Sequence, residues 1–406
     1  MKPISLLVAV AVSAALAAQA PVTAEGKLKT VDPKNGRERP PVQLPQDPMT
    51  LSQKTPAGVV APANLTDVWY GQRKIGGKDR TIAIGKGKAD AERADTLIAD
   101  LNGDGKLLAD EAVALEEMPG RNTPKPLAAN ATFENAGAKM PAMMVFVKPP
   151  EGDPTLYLQF LNYLEATVKV GSGDKLVAVV DKNLDGKFDS AEDEWGIKDA
   201  AGKQAISAFA LNAHGERAFL DGNLIGLKVG TNNMLSLTAT PATGPDPKEA
   251  AEHRARVEKI WTERFDKERE QFVTQRKLDT SRPKAKEEIH WNYVSFDDAI
   301  ALGKKANKPV FIDVMAFWCV WCYRMDYYTY PDQEVAELLN SKFVPCKIIQ
   351  EQAKDGDYDM MMKKLEARGI PAMGIFDGEG NKVHMIGGWN PPDKFVEELQ
   401  KGLSGK

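Results

Sequence analysis

Cys319 and Cys322 stand two residues apart at the end of Val310-Phe-Ile-Asp-Val-Met-Ala-Phe-Trp-Cys-Val-Trp-Cys322, where a core strand is expected to end and a helix to begin. Backbone N–H groups and the dipole at a helix N-terminus stabilise the thiolate of the first cysteine, which is the attacking species. Two intervening residues bring the second sulfur within reach, so that it can resolve a mixed disulfide. The chain has three cysteines, the third being Cys346. With no second pair, and with none of His214, His253, His290 and His384 at a short ligand spacing from the motif, the pair reads as redox rather than zinc-binding. Three cysteines also exclude a disulfide-stapled scaffold.

Two acidic segments carry a second chemistry. Asp100, Asn102, Asp104, Gly105, Lys106 and Glu111 fall at positions 1, 3, 5, 6, 7 and 12 of D-x-[DN]-x-[DN]-G-x5-E. Asp181, Asn183, Asp185, Gly186, Lys187 and Glu192 repeat the pattern, with Asp189 added at position 9. Oxygens at positions 1, 3 and 5 converge, glycine at 6 makes the bend, position 7 offers its carbonyl, and glutamate at 12 closes the shell around Ca2+. The extra acid predicts tighter binding in the second loop. The bland alternative is a pair of acidic turns held by their own hydrogen bonds.

The elements that must position these groups follow from texture. At 406 residues the chain is long enough for two or three domains. Residues 1–24 hold one lysine and then a run that is nearly all apolar from Ile4 to Ala18, the pattern of a signal peptide with an uncleaved anchor as the alternative. The expectation is an exported protein, periplasmic or extracellular. Prolines recur through 25–62, which predicts an extended linker. Short apolar runs separated by Gly- and Asn-rich turns over 63–244 predict a β-rich domain, and Ala89–Ala99 before the first acidic loop reads as a helix. Residues 245–288 read as a helical connector, with Val257, Ile260, Trp261, Phe265, Phe272 and Val273 on its apolar face over 248–279. From 289 to 406, helices and strands alternate in an α/β order. Lys plus Arg total 53 against 57 acids, which lacks the basic signature of a nucleic-acid binder. Cys346 lies in an expected strand and reads as a small core residue.

Around the dithiol, Asp313, Ala316, Trp318 and the distant Ile370-Pro371 closely resemble the thioredoxin fold over about Ile289 to Leu403. The resemblance implies that Asp313 and Lys347 move protons at the second cysteine, and that Pro371, cis in that family, faces the dithiol with Ile370 beside it. It further implies a redox-active disulfide cofactor, Cys319–Cys322, and substrate contact through Trp318 and Trp321. The helix ending Ala301-Leu-Gly-Lys-Lys-Ala, Lys308-Pro309-Val310 and Tyr323-Arg324-Met325 resemble the exported, membrane-fed branch of thioredoxin-like proteins. That branch implies protein disulfide or thiol partners and a membrane electron donor. Val320-Trp321 departs from the Gly-Pro and His-containing pairs of other branches, and the missing histidine leans toward reduction. The acidic segments resemble the EF-hand-like calcium loops of secreted bacterial proteins, loops that strands as well as helices can flank. The expected architecture is therefore multidomain: a β-rich N-terminal domain with EF-hand-like loops, a helical connector and a C-terminal α/β thioredoxin-like fold. The expected function is thiol–disulfide oxidoreduction, against a calcium-stabilised module whose C-terminal domain only docks partners.

Overall fold

The structure, a computed structural model, describes residues 22–31, 40–44, 46–118, 125–149, 152–170, 173–202, 205–354 and 356–404. Residues 1–21 of the expected signal peptide lie outside this set. Its last three residues do not: strand Val22–Glu25 pairs antiparallel with Met234–Leu237.

Among the described residues up to Pro241, the strands form four antiparallel sheets. Thr66–Ile75, Lys78–Lys86, Thr96–Ala99 and Ala112–Ala114 form one, which faces a sheet of Asp47–Thr50, Thr155–Phe160, Ala138–Val147, Leu127–Asn135 and Glu116–Glu117. Alternate side chains turn inward, so Ile82, Ile84, Leu97, Phe133, Met144 and Leu158 share one core. The second pair of sheets repeats this arrangement. Lys27–Thr30, Asn162–Val170, Gly173–Val180, Glu194–Asp199 and Asn212–Ala213 pack on Val22–Glu25, Met234–Pro241, Asn223–Val229 and Arg217–Leu220 around Val177, Trp195, Ile225 and Leu237.

Two expectations are corrected here. The proline-rich stretch 25–62 is not a free linker: Lys27–Thr30 and Asp47–Thr50 pair with Asn162–Glu165 and Thr155–Leu158, and Val42, Leu44 and Leu51 are buried. Prolines are compatible with this because Pro48 sits on an edge strand, where a missing N–H costs no ladder bond. The helix expected over Ala89–Ala99 is instead strand Thr96–Ala99, whose pairing with Ile82–Gly85 completes a sheet. Tertiary pairing overrides local helix propensity there.

Helix α1, Pro247–Arg276, connects the β-rich part to the remainder. Asp246 accepts from the N–H groups of Lys248 and Glu249, Pro247 fills the first turn, and Lys277 in the left-handed region ends the helix. Val257, Trp261, Phe265 and Phe272 are buried as the spacing predicts, whereas Ile260 is exposed.

In the C-terminal region five strands lie in the order Asn292–Tyr293, Val344–Ile349, Val310–Met315, Ala372–Phe376 and Lys382–Gly387, the first three parallel and the last two antiparallel. Helices α2 (Phe296–Ala306), α3 (Val320–Arg324), α4 (Gln333–Lys342), α5 (Asp357–Leu365) and α6 (Pro392–Ser404) connect them. Separate apolar cores fill the two faces. Val310–Met315 is the central strand and is buried throughout, which accounts for its nearly continuous apolar run. Asp313 is the exception in that run.

Candidate active site

The central strand delivers the dithiol. After Met315, residues 316–318 turn and Cys319 caps α3: its carbonyl accepts the N–H of Tyr323 at 3.2 Å, and its Sγ accepts the N–H of Cys322 at 3.1 Å. Cys319 and Cys322 form a disulfide. A helix N-terminus holding the first sulfur is the arrangement that lowers a thiol's pKa when the pair is reduced.

Asp313 and Lys347 meet because their strands pair in register. Asp313 is fully buried; its Oδ2 accepts the Tyr330 hydroxyl at 2.9 Å and lies 4.0 Å from Lys347 Nζ. Its Oδ1 has no hydrogen-bond partner among the described residues. Burial pushes the Asp313 carboxyl up to about 6, with Lys347 opposing the shift. Lys347 binds Asp326 closely. Burial disfavours the lysine's charge, but Asp326 and Asp313 outweigh it and hold the ammonium above its ordinary value.

The remaining residues surround the sulfur pair unevenly. Ile370 packs in one cluster with Cys319 and Cys322, and the Ile370–Pro371 peptide is cis. Trp318 is 47% exposed and donates its indole N–H to Gln350 Oε1 at 3.1 Å. Trp321 is half-buried, with the Arg324 guanidinium 4.5 Å from its ring centroid. Cys346 is buried, and burial pushes its thiol up to about 12. That environment is inert.

Three groups at the site escape sequence reasoning. Asp326 lies one helical turn beyond Cys322, a spacing that signals a shared face, yet nothing in the sequence ties it to Lys347. Glu351 is half-buried against the dithiol turn, where its Oε2 accepts the Phe317 N–H at 3.0 Å; desolvation pushes its carboxyl up to about 7. Helix α1 brings Val257, Trp261 and Phe265 into the same apolar cluster as Cys319 and Cys322. The period of α1 reveals its apolar stripe but not the surface that the stripe covers.

Each acidic segment joins two neighbouring antiparallel strands, Thr96–Ala99 to Ala112–Ala114 and Gly173–Val180 to Glu194–Asp199. In the first, Asp100 accepts the N–H groups of Gly103 and Gly105, Asn102 that of Asp104, Asp104 that of Lys106, and Glu111 those of Leu101, Asn102 and Leu108. The Arg80 guanidinium lies 3.8 Å from Asp100, so this loop already contains a cation of its own. In the second, Asp181 accepts from Asp185 and Gly186, Asn183 from Asp185, and Asp185 from Lys187.

Position 12 of the second loop is corrected. Glu192 and Asp189 are exposed, and Asp193 turns inward instead, accepting the N–H groups of Lys182 and Ser190 as Glu111 accepts those of its own loop. Burial pushes the Asp181 carboxyl up to about 7, and Asp193 and Asp185 nearby add to the shift. Among the described residues no group of three or more His, Cys, Asp or Glu is arranged to hold a metal ion. The donor sets are turned toward backbone amides, and the calcium expectation has no support from the arrangement as a whole.

Similarity to known proteins concentrates on the dithiol region. The family Thioredox_DsbH, described as a protein of unknown function (DUF255), matches residues 271–400. The thiol:disulfide interchange protein DsbD of Vibrio vulnificus (strain CMCP6) is 29% identical over 113 residues, which are 27% of this chain and 18% of that protein. The region that carries the dithiol is thus similar to part of a thiol:disulfide interchange protein. DsbD of Yersinia pestis is 28% identical over 102 residues, 24% of this chain and 17% of that one. Spermatogenesis-associated protein 20 of Mus musculus is 29% identical over 105 residues, 25% of this chain and 13% of that one. The matched region thus spans less than a fifth of these relatives. Among solved structures, DsbH oxidoreductase covers 31% of this chain and 92% of its own at 18% identity and a TM-score of 0.26. The oxidised C-terminal domain of Neisseria meningitidis DsbD covers 27% and 97% at 23% identity and a TM-score of 0.24.

Proposed function

We propose that the protein is an exported thiol–disulfide oxidoreductase whose thioredoxin-like domain reduces or exchanges disulfides of other proteins. The observation that carries the reading is the Cys319–Cys322 disulfide at the start of α3, joined by the central strand to a buried carboxyl poised near neutrality. Similarity to proteins named for thiol:disulfide interchange supports it.

In the proposed reaction the reduced Cys319 thiolate attacks one sulfur of a substrate disulfide. That bond breaks, a mixed disulfide forms, and the departing substrate sulfur takes a proton. Cys322 then gives its proton to Asp313, held by Lys347 and Tyr330, and attacks Cys319. The second substrate thiol leaves, and two electrons have passed from the dithiol to the substrate. Ile370, Pro371, Trp318 and Trp321 form the surface on which the substrate lies. A membrane electron donor returns the pair to the dithiol. No helix among the described residues is long and apolar enough to cross a membrane.

The β-rich domain serves as the platform, and the second acidic loop is its proposed Ca2+ site. The Asp181-x-Asn183-x-Asp185-Gly186 pattern supports that proposal, and Asp193 and Asp185 add to the burial that lifts the Asp181 carboxyl. The first loop is the weaker candidate because Arg80 neutralises Asp100.

Trapping tests the reading. Cys322→Ser in the full chain leaves Cys319 unable to resolve, so mixed disulfides with partner proteins accumulate on non-reducing gels. A protein that shows neither trapping by this variant nor insulin reduction by the wild type would contradict the enzyme reading.

A further inference from the structure

Cys319 is only 4% exposed, although the proposed reaction requires its sulfur to meet a disulfide on another protein. What buries it is not the thioredoxin-like domain alone. Helix α1 lays Val257, Trp261 and Phe265 into the cluster that holds both sulfurs. The Trp261 ring stacks on Tyr323 at 5.7 Å, and its indole N–H donates to the Phe317 carbonyl at 3.0 Å. About three turns farther along, Phe272 lies 6.4 Å from the Trp321 ring and 5.4 Å from Trp389. The helix therefore lies across the face that carries Cys319, Trp321 and Ile370.

We propose that α1 is a tethered lid over the dithiol, and that it must part from the thioredoxin-like domain before a protein disulfide can reach Cys319. This regulation rests on the reading of Cys319 as the attacking sulfur.

Three features distinguish a lid from an ordinary core helix. First, the contact has the make-up of a reversible interface, with aromatic groups at the centre and polar pairs at the rim. At the rim, Glu268 pairs with Arg324 at 3.4 Å, Asp266 with the Tyr327 hydroxyl, and Arg254 with Gln352 at 2.8 Å. Second, α1 does not seal against the domain along its whole length: an open cleft of about 370 Å³ separates Arg254 and Glu258 from Tyr323, Asp326 and Lys347.

Third, α1 has its own anchorage on the β-rich domain. Arg217 binds Asp246 and Glu249, Arg256 binds Glu216, and His253 bonds the Phe209 carbonyl at 2.9 Å. The helix can thus stay on that domain while the thioredoxin-like domain swings away on the 277–288 segment. Burial of the sulfurs would then protect a reduced dithiol from unwanted oxidants until a partner takes the place of α1.

The test measures access rather than catalysis. The full-length protein is reduced with a phosphine, and Cys319 is labelled with N-ethylmaleimide or with a polyethylene-glycol-linked maleimide. The rate for each reagent is read on the Cys319 peptide by mass spectrometry. The lid predicts that wild type strongly discriminates against the bulky reagent. Trp261→Ala should speed the bulky label about tenfold or more, because it removes buried contacts that hold the closed state. Glu268→Arg disturbs only the rim and spares the core, so it decides the matter if Trp261→Ala folds poorly. It should speed the same label by about threefold, the scale of one rim ion pair. Equal rates for both reagents in wild type, or no acceleration in a folded Glu268→Arg protein, would overturn the lid. Gated labelling in a chain whose Cys322→Ser variant traps no partner would leave the lid standing and remove the redox reading.

Discussion

Trp261 of α1 donates its indole N–H to the carbonyl of Phe317, two residues before Cys319, across a sequence distance of 56 residues. This bond ties the connector helix to the turn that presents the sulfur pair. In the closed arrangement the helix therefore holds the dithiol turn directly, while its other contacts hold the β-rich platform.

Asp313 links proton transfer to stability. Its carboxyl rises from 3.8 to about 6 on burial, so the folded protein retains a proton that the unfolded chain releases across that window. The favourable contribution is complete below the lower value and is lost as pH rises through the upper one. Asp313→Asn should therefore stabilise the protein at pH 7 by on the order of 1–2 kcal/mol, and by much less at pH 4. Urea unfolding at the two pH values measures this. In the same variant insulin reduction at pH 7 should fall by about a hundredfold, the usual scale for losing a positioned acid–base group. Full activity would remove Asp313 from the proton path.

Calcium is tested by comparing three carboxyl groups of one loop. Calorimetry should detect Ca2+ in wild type and lose it in Asp181→Asn and Asp193→Asn, whereas Glu192→Gln should keep it because that side chain faces solvent. Saturating Ca2+ should raise the melting temperature of wild type by a few degrees through preferential binding to the folded state. Loss of binding in Glu192→Gln alone would restore the spacing that the motif suggests.

Arg80 is fully buried; it donates to the carbonyls of Asp100 and Glu134 at 3.1 and 2.6 Å and sits against the Asp100 carboxylate. Arg80→Met leaves a buried carboxylate without its cation, and should cost about 3–5 kcal/mol in urea unfolding. The paired variant Arg80→Met with Asp100→Asn should recover part of that loss. A variant as stable as wild type would show that backbone amides alone satisfy Asp100.

Much of the C-terminal domain was legible because its signals are local. Val310–Met315 is apolar on both faces because it is central, and α2 begins at Ser295, whose side chain accepts the Asp298 N–H. The cysteine pair and Asp313 lie within ten residues of one another. What escaped depends on long-range pairing. Asp47–Thr50 becomes a strand only because Thr155–Leu158 lies beside it. Asp193 replaces Glu192 because the chain returns into Glu194–Asp199 one residue later than the motif assumes. The cover that α1 provides joins residues more than fifty positions apart, and an apolar stripe does not name its partner.

The most direct test of the central claim is mixed-disulfide trapping by Cys322→Ser in the full-length protein, with Cys319→Ser/Cys322→Ser as control. The account predicts covalent partner complexes on non-reducing gels that vanish on reduction and are missing from the control. Complexes equally abundant in the control, or none from Cys322→Ser under oxidising conditions, would contradict it.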